Sequence, residues 1–362
     1  MALAWTAARW VLHALLALAV LEVCARADDV LTWGAPFWGD YSEEMLFVND
    51  SLGYHLRPHG RFQKWQIDSF GFRGPEITMA KPAGVTRIVA VGASETFGLY
   101  ESPGKEWPAQ LQALLDSVRP GRYQVLNAAI PGISPSRIGR YFEAWLVRFA
   151  PDVVIYYPTP SFMLPPPSAP AATAAPRSSA AAAGAPDFSP RIAAKALELY
   201  KRLAPAPVQT AVRQWLIDRA VRRHPPAWVL TSVPPERVEA FRAELVALAQ
   251  LVRAHGAAFV LATHASRIAR GENAEERDLL VAWRKLFPNL TASCLMETDS
   301  LADALVSGIG EGYRIPVADI ARAVPKSSVY FADFEHFTDS GAALAARTVL
   351  EQILELGSRP DR

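Results

Sequence analysis

Hydrophobic positions along this chain change their spacing several times, and each change marks a different kind of element. Residues 10–21 (Trp-Val-Leu-His-Ala-Leu-Leu-Ala-Leu-Ala-Val-Leu) are apolar on almost every side. Residues 28–80 carry aromatic and apolar residues in short clusters between Gly, Pro and Asn turns, with no 3.6-residue period, which predicts short strands and loops. From residue 84 the pattern becomes regular. Continuous apolar runs at Thr86–Val91, Tyr123–Ala128, Asp152–Tyr157, Ala257–Thr263 and Tyr313–Val317 predict five strands. Between and after them, Trp107–Leu115, Arg137–Phe149, Pro235–His255, Asp299–Leu305 and Asp339–Leu356 predict helices, the long one closed by Gly256. Strands apolar on both faces, alternating with helices, predict an α/β fold: a three-layer α/β/α sandwich around a five-stranded parallel sheet.

In a sheet of this kind, sites gather beyond the carboxyl ends of the strands. Ser94 follows the first strand, Gly132 the second and Pro158–Ser161 the third, so three loops on one edge can share a pocket. Between the third strand and the long helix, residues 158–190 are mostly Pro, Ala, Ser and Thr, too poor in large apolar residues to build a core. Two helices are expected after them, at Ile192–Leu203 and Val208–Arg223, the second carrying Arg213, Arg219, Arg222 and Arg223. That basic stretch reads as a solvated face, or as a lid or a contact for an anionic surface. The expected organisation is a leader at 1–27, an extension at 28–83, a core in two parts at 84–158 and 226–362, and an insertion at 159–225.

Composition narrows the function. The chain has 362 residues, is 51% hydrophobic and carries a net charge of +1, which gives no support to a polyanionic partner and excludes nucleic acid from the expected ligands. The two cysteines, Cys24 and Cys294, imply neither a disulfide framework nor a metal site. His55 and His59 are separated by the helix-breaking Pro58, so they do not share a ligand face; no metal and no cofactor is expected. Arg9, the apolar run, and Ala25-Arg26-Ala27 ahead of Asp28 resemble a secretory leader with its cleavage pattern. The alternative is an uncleaved anchor through residues 10–26. Either way a periplasmic or secreted location is expected, the second with attachment to the inner membrane.

Two segments carry chemistry. Ser94 lies in Val91-Gly-Ala-Ser-Glu-Thr-Phe-Gly98, a Gly-flanked turn after a strand that can lift a hydroxyl into solvent. Asp333-Phe-Glu-His336 follows the last strand. A serine hydroxyl needs a neighbouring base. His336 can take its proton and return it to the leaving group, while Asp333 holds the ring tautomer. Taken singly, Ser94 reads as a capping serine and Asp333–His336 as a surface turn. His264, at the end of the fourth strand, competes as a pocket residue or base, and Tyr157 as a pocket residue; Asp319 reads as a rim or solvated acid.

The ordered set resembles the SGNH/GDSL hydrolase superfamily over about 86–160 and 235–356. Gly92–Gly98 is similar to the block that carries the nucleophile, Asn127-Ala-Ala-Ile-Pro-Gly132 to the block whose glycine N–H helps form the oxyanion hole, and Asp333–His336 to the block of the acid and base. The resemblance implies a flavodoxin-like fold, an ester-cleaving or acyl-transferring enzyme, and the catalytic set Ser94, His336 and Asp333 with the N–H groups of Ser94 and Gly132 as oxyanion donors. The stretch 52–76 is similar to the region before the nucleophile in envelope-associated members, which implies an acylated glycan substrate and a place beside envelope polysaccharide machinery. One departure stands out. The family's third block brings an oxyanion-binding Asn after the third strand, whereas here Pro160 occupies that position and no Asn occurs between Asn127 and Asn273. Thr159 and Ser161 are the substitutes the local sequence offers. A catalytically weak binding or scaffold protein of the same fold is the alternative that this departure raises.

Overall fold

The structure is a computed structural model, and it describes residues 2–164, 190–269 and 273–358. A long helix α1 (Ala2–Trp33) opens the chain. Two small antiparallel hairpins follow, β1 (Phe47–Asp50) with β2 (Gly53–Leu56) and β3 (Arg61–Phe62) with β4 (Trp65–Gln66). The central sheet consists of β5 (Thr86–Gly92), β6 (Tyr123–Asn127), β7 (Val153–Tyr157), β8 (Ala258–Ala262) and β9 (Val317–Ala318). Its order is β6-β5-β7-β8-β9 with every pairing parallel, so the chain runs outward from β5 to one side and then returns to fill the other. The reversal lies between β5 and β7, where a doubly wound sheet opens its crevice. The expected α/β/α sandwich on a five-stranded parallel sheet is what the chain forms.

The remaining helices are α2 (Ser94–Phe97), α3 (Trp107–Val118), α4 (Pro135–Ala144), α5 (Arg191–Leu203), α6 (Ala206–Val221), α7 (Pro235–Ala254), α8 (Ala274–Leu286), α9 (Ala292–Tyr313), α10 (Ile320–Ala323) and α11 (Asp339–Ser358). Strand residues alternate between two cores because successive side chains point to opposite faces. Ile88, Ala90, Ile155 and Val260 pack against Trp107 and Leu111 of α3 and Ala345 and Val349 of α11. Val89, Val91, Val154 and Phe259 pack against Phe142 of α4, Leu245 and Leu248 of α7 and Leu295 and Val306 of α9. Both faces of the sheet are therefore covered, which is why its strands read as continuous apolar runs.

Three expectations change. The predicted helix 137–149 is α4 followed by a separate 3₁₀ turn, Leu146–Phe149. The predicted strand 313–317 begins on the last residue of α9, Tyr313, and continues through a left-handed cap at Arg314 (φ 52) and two irregular residues. The strand itself is only Val317–Ala318. Helix α8 was not expected, yet it carries its own start signal: the Asn273 side chain accepts the Glu276 N–H at 2.8 Å. Helix α1 continues without a break past residue 27, where a leader boundary was expected. Of the insertion at 159–225, both expected helices are present as α5 and α6, and residues 165–189 lie outside the described residues.

Candidate active site

Ser94 is the first residue of α2, immediately beyond the carboxyl end of β5. The turn is tight because Gly92 lets other backbone close in: a Cβ there would lie 2.4 Å from Thr96 Oγ1 and 2.9 Å from the Tyr157 carbonyl. The short helix ends at Gly98 (φ 88), whose added Cβ would meet Glu106 Cβ at 2.6 Å. From below, buried Arg73 donates to the carbonyls of Phe97 and Gly98, and Asn127 Nδ2 donates to the Thr96 carbonyl at 3.1 Å. Ser94 is thus held on a turn fixed by glycines on two sides and by side-chain donors from the extension and from β6.

His336 is buried on the loop before α11, with its Nδ1 2.8 Å from Asp333 Oδ2. Asp333 is itself fixed, since its Oδ1 accepts the N–H of Glu335 at 3.0 Å and of His336 at 2.9 Å. The ring's other nitrogen, Nε2, is buried and has no hydrogen-bond partner among the described residues. Burial works against charging this ring, but the bond to Asp333 and the charges of Asp333, Glu335 and Glu95 outweigh it and raise the pKa to about 9. The expected hydrogen bond between Ser94 and His336 is not made. Ser94 Oγ donates instead to Glu95 Oε2 at 3.2 Å.

Glu95, which reads in the sequence as an ordinary capping acid, is completely enclosed and organises the floor of the site. Thr159 Oγ1 donates to both its oxygens, at 2.9 and 3.1 Å. His264, with a side chain 1% exposed, places Nε2 3.4 Å from Glu95 Oε1 and Nδ1 3.2 Å from Asp299 Oδ1. Neither ring nitrogen is aligned for a hydrogen bond, so these are close ion pairs. Burial disfavours the charged ring of His264, but Asp299 and Glu95 together raise its pKa well above the ordinary value. Burial likewise penalises the Glu95 charge, and the His264 contact keeps the carboxyl below its usual range all the same. Glu335 is pushed up to about 8, by burial first and then by the charge of Glu95.

Among the described residues, Glu95, His264 and Glu335 form a group whose donor atoms lie within 4.8 Å of one another. In this arrangement His264 lies between the carboxylates of Glu95 and Asp299.

The structure sorts the remaining candidates. Thr159, expected as a substitute oxyanion donor, donates its hydroxyl to Glu95. Tyr157 and His264, the expected pocket residues, are buried, and the Tyr157 hydroxyl accepts the Ala265 N–H at 2.8 Å. Asp319, exposed just beyond β9, caps α10 through the Arg322 N–H and accepts the Thr263 hydroxyl. Gly132 sits exposed on its loop with φ 74, and neither its N–H nor that of Ser94 has a bonded acceptor among the described residues. Ser161, on the 3₁₀ turn Pro160–Met163, shares with Gly132 a cavity of about 530 Å³. Phe162, Phe241, Phe287, Arg137 and Glu244 are among its other walls; Ser94 and His336 are not among its lining residues.

No family model and no curated protein matches this chain. Solved structures do resemble it. One is a protein described as lipolytic and of the G-D-S-L family from Desulfitobacterium hafniense DCB-2, 13% identical, covering 74% of this chain and 99% of that one, with a TM-score of 0.41. Another is Axe2, an acetylxylan esterase from Geobacillus stearothermophilus, 13% identical over 75% of this chain and 96% of that one, with a TM-score of 0.42. A third is LAE5, an alpha/beta hydrolase enzyme from the metagenome of Lake Arreo, 15% identical over 75% and 96%, with a TM-score of 0.42. The likeness is to GDSL lipolytic proteins and acetylxylan esterases, and it transfers no residue role to this chain.

Proposed function

We propose that the chain is an exported serine esterase that removes or transfers O-acyl groups on an envelope or extracellular glycan. The observation that carries this reading is the Asp333–His336 pair, which presents a buried, unbonded Nε2 in the same charged cluster as Glu95, the residue next to Ser94. Ser94 Oγ turns from Glu95 toward Nε2 and attacks the ester carbonyl. The O–C bond forms as the hydroxyl proton passes to His336, and the oxyanion is received by the N–H groups of Ser94 and Gly132. The proton then goes to the departing sugar oxygen, leaving an acyl-enzyme. Water or a second sugar hydroxyl, deprotonated by the same ring, releases the acyl group. Aromatic rings beside Arg137 and Glu244 in the adjoining cavity suit the apolar faces and the hydroxyls of a sugar.

A second reading, a protein of this fold that binds acylated glycans without turning them over, is favoured by one observation: the Ser94 hydroxyl is bound to Glu95 and not to a base. Hydrolysis of p-nitrophenyl acetate by the full chain in detergent, beside Ser94→Ala, separates the two. Turnover that disappears in Ser94→Ala supports the esterase, and equal rates in both proteins remove it.

A further inference from the structure

We propose that α1 is kept as a membrane anchor welded to the body through α5, and that the exposed face of the α5–α6 hairpin rests on anionic lipid headgroups of the same bilayer. This does not depend on the acyl chemistry. From Trp5 to Val23 an α-helix rises about 28 Å, against a hydrocarbon core of about 30 Å. Along that length Trp10, Leu12, Leu15, Leu18 and Leu21 are all more than half exposed, so nothing among the described residues covers them. Arg9 near one end is within snorkelling reach of the headgroups.

The other end is built into the fold. Glu22, the charge that closes the apolar run, accepts the backbone N–H groups of Arg191 and Ile192 at 3.1 and 3.0 Å, capping the first turn of α5 from 169 residues away. Arg26, 2% exposed, donates to Glu22 at 2.7 Å and to the Phe37 carbonyl at 2.9 Å. Buried Asp29 pairs with Arg191 at 3.4 Å and with Lys195 at 2.7 Å. The peptide bond after Ala27 therefore lies inside a helical turn that buried Arg26 and Asp29 tie to the body, unlike the extended, open strand a peptidase needs. Cutting there would remove the carboxylate that satisfies α5.

Fixing α5 to the end of a spanning helix places the hairpin at the membrane surface, and the hairpin's outer face fits that place. Leu199 and Leu203 of α5 are exposed at helical spacing, and Val208, Val212 and Trp215 form one exposed stripe on α6. The stripe continues as Arg219, Arg222 and Arg223, all exposed, with the Arg219 guanidinium 5.3 Å from the Trp215 ring. The opposite side of α6 is occupied: Ile217 is buried, and Thr210 donates to Asp278 of α8 at 2.9 Å. An apolar stripe ending in arginines matches an interfacial helix on anionic lipid.

The test uses the full chain with a C-terminal tag. Intact mass of protein taken from carbonate-washed membranes is expected to include residues 1–27; a chain starting at Asp28 overturns the anchor. For the hairpin, Val212→Cys in a Cys24→Ser background is labelled with bimane and placed in nanodiscs containing headgroup-proximal spin-labelled lipid, with Glu351→Cys on α11 as the control. Loss of fluorescence at 212 but not at 351, stronger with anionic than with neutral lipid, is the expected result. Equal signals at the two sites overturn the surface contact. So does a label at 212 that lipid leaves unquenched but a co-purifying protein shields.

Discussion

Asp333→Asn tests the heart of the reading. In the parent, raising the His336 pKa from 6.5 to about 9 corresponds to about 3 kcal/mol of preference for the charged ring. After the opposing effect of burial, Asp333 is the first source of that preference. Asparagine keeps an oxygen for the two backbone N–H groups, at 2.9 and 3.0 Å in the parent, so the loop retains its shape. Its amide turns an N–H toward Nδ1, which shifts the proton of the neutral ring to Nε2. The nitrogen that must accept the Ser94 proton is then already protonated. A loss of about 10⁴ in kcat is expected above about pH 9, where the parent ring is neutral and its Nε2 is free to accept; at pH 7 the parent ring is itself mostly charged and the loss is smaller. Stability gives an independent check. A histidine whose folded pKa is raised contributes its stability fully below about pH 6.5, and that contribution is lost as pH rises through about 9. Asp333→Asn should therefore melt well below the parent at pH 6, with the gap narrowing above pH 9. The assays are p-nitrophenyl acetate turnover with active-site titration, and thermal melts at both pH values. A loss under about tenfold in a folded variant, or a stability gap that does not depend on pH, would refute the assignment.

Other outcomes follow from the same geometry. Activity of the parent should rise with pH toward about 9, where His336 loses its proton and becomes a base; a profile already flat from pH 6 would count against it. Thr159→Val removes the one hydroxyl donor shared by both oxygens of a buried carboxylate and should cost about 1–3 kcal/mol in thermal or denaturant unfolding. Thr159→Ser, which restores the hydroxyl, should recover most of it. Gly341→Ala would set a Cβ 2.0 Å from the Tyr330 carbonyl, so a loss of about 1–3 kcal/mol or more by denaturant melt is expected.

The sheet was legible because buried parallel strands are written as unbroken apolar runs, and the positions of Ser94, Gly132 and His336 followed from where those runs end. Helix α9 was not legible in full. It carries Gly308, Gly310 and Gly312, poor helix formers, in its last turns. Their presence has a packing reason at Gly310, where a Cβ would stand 2.4 Å from Val317 Cγ2, so the glycine is what lets β9 lie against the helix. Tertiary contact overrode local propensity. The floor of the site was missed for a different reason. Glu95 and His264 are 169 positions apart, and each alone reads as a cap or a strand end. The signal available was an acid directly after the candidate nucleophile, in a segment otherwise apolar enough to be buried.

Glu95 also decides how the site is regulated by charge. An ionised carboxylate beside Ser94 opposes a developing oxyanion and holds the hydroxyl away from its base, so a buried acid here has to be offset. His264, ion-paired on its other side to Asp299, supplies that offset. The floor is thus a second carboxylate–imidazole pair beside Asp333–His336. The two are linked, because Glu95 helps to raise the His336 pKa. Glu95→Gln should uncouple them. Its carbonyl oxygen still accepts from Thr159, and His264 keeps Asp299, so the fold survives at a cost of about 3 kcal/mol for a broken buried ion pair. With the negative charge gone, His336 gives up its proton more easily, and the midpoint of the pH–rate profile should move below that of the parent. A variant that folds, turns over substrate and keeps the parental midpoint would show that Glu95 and His264 act on the scaffold alone.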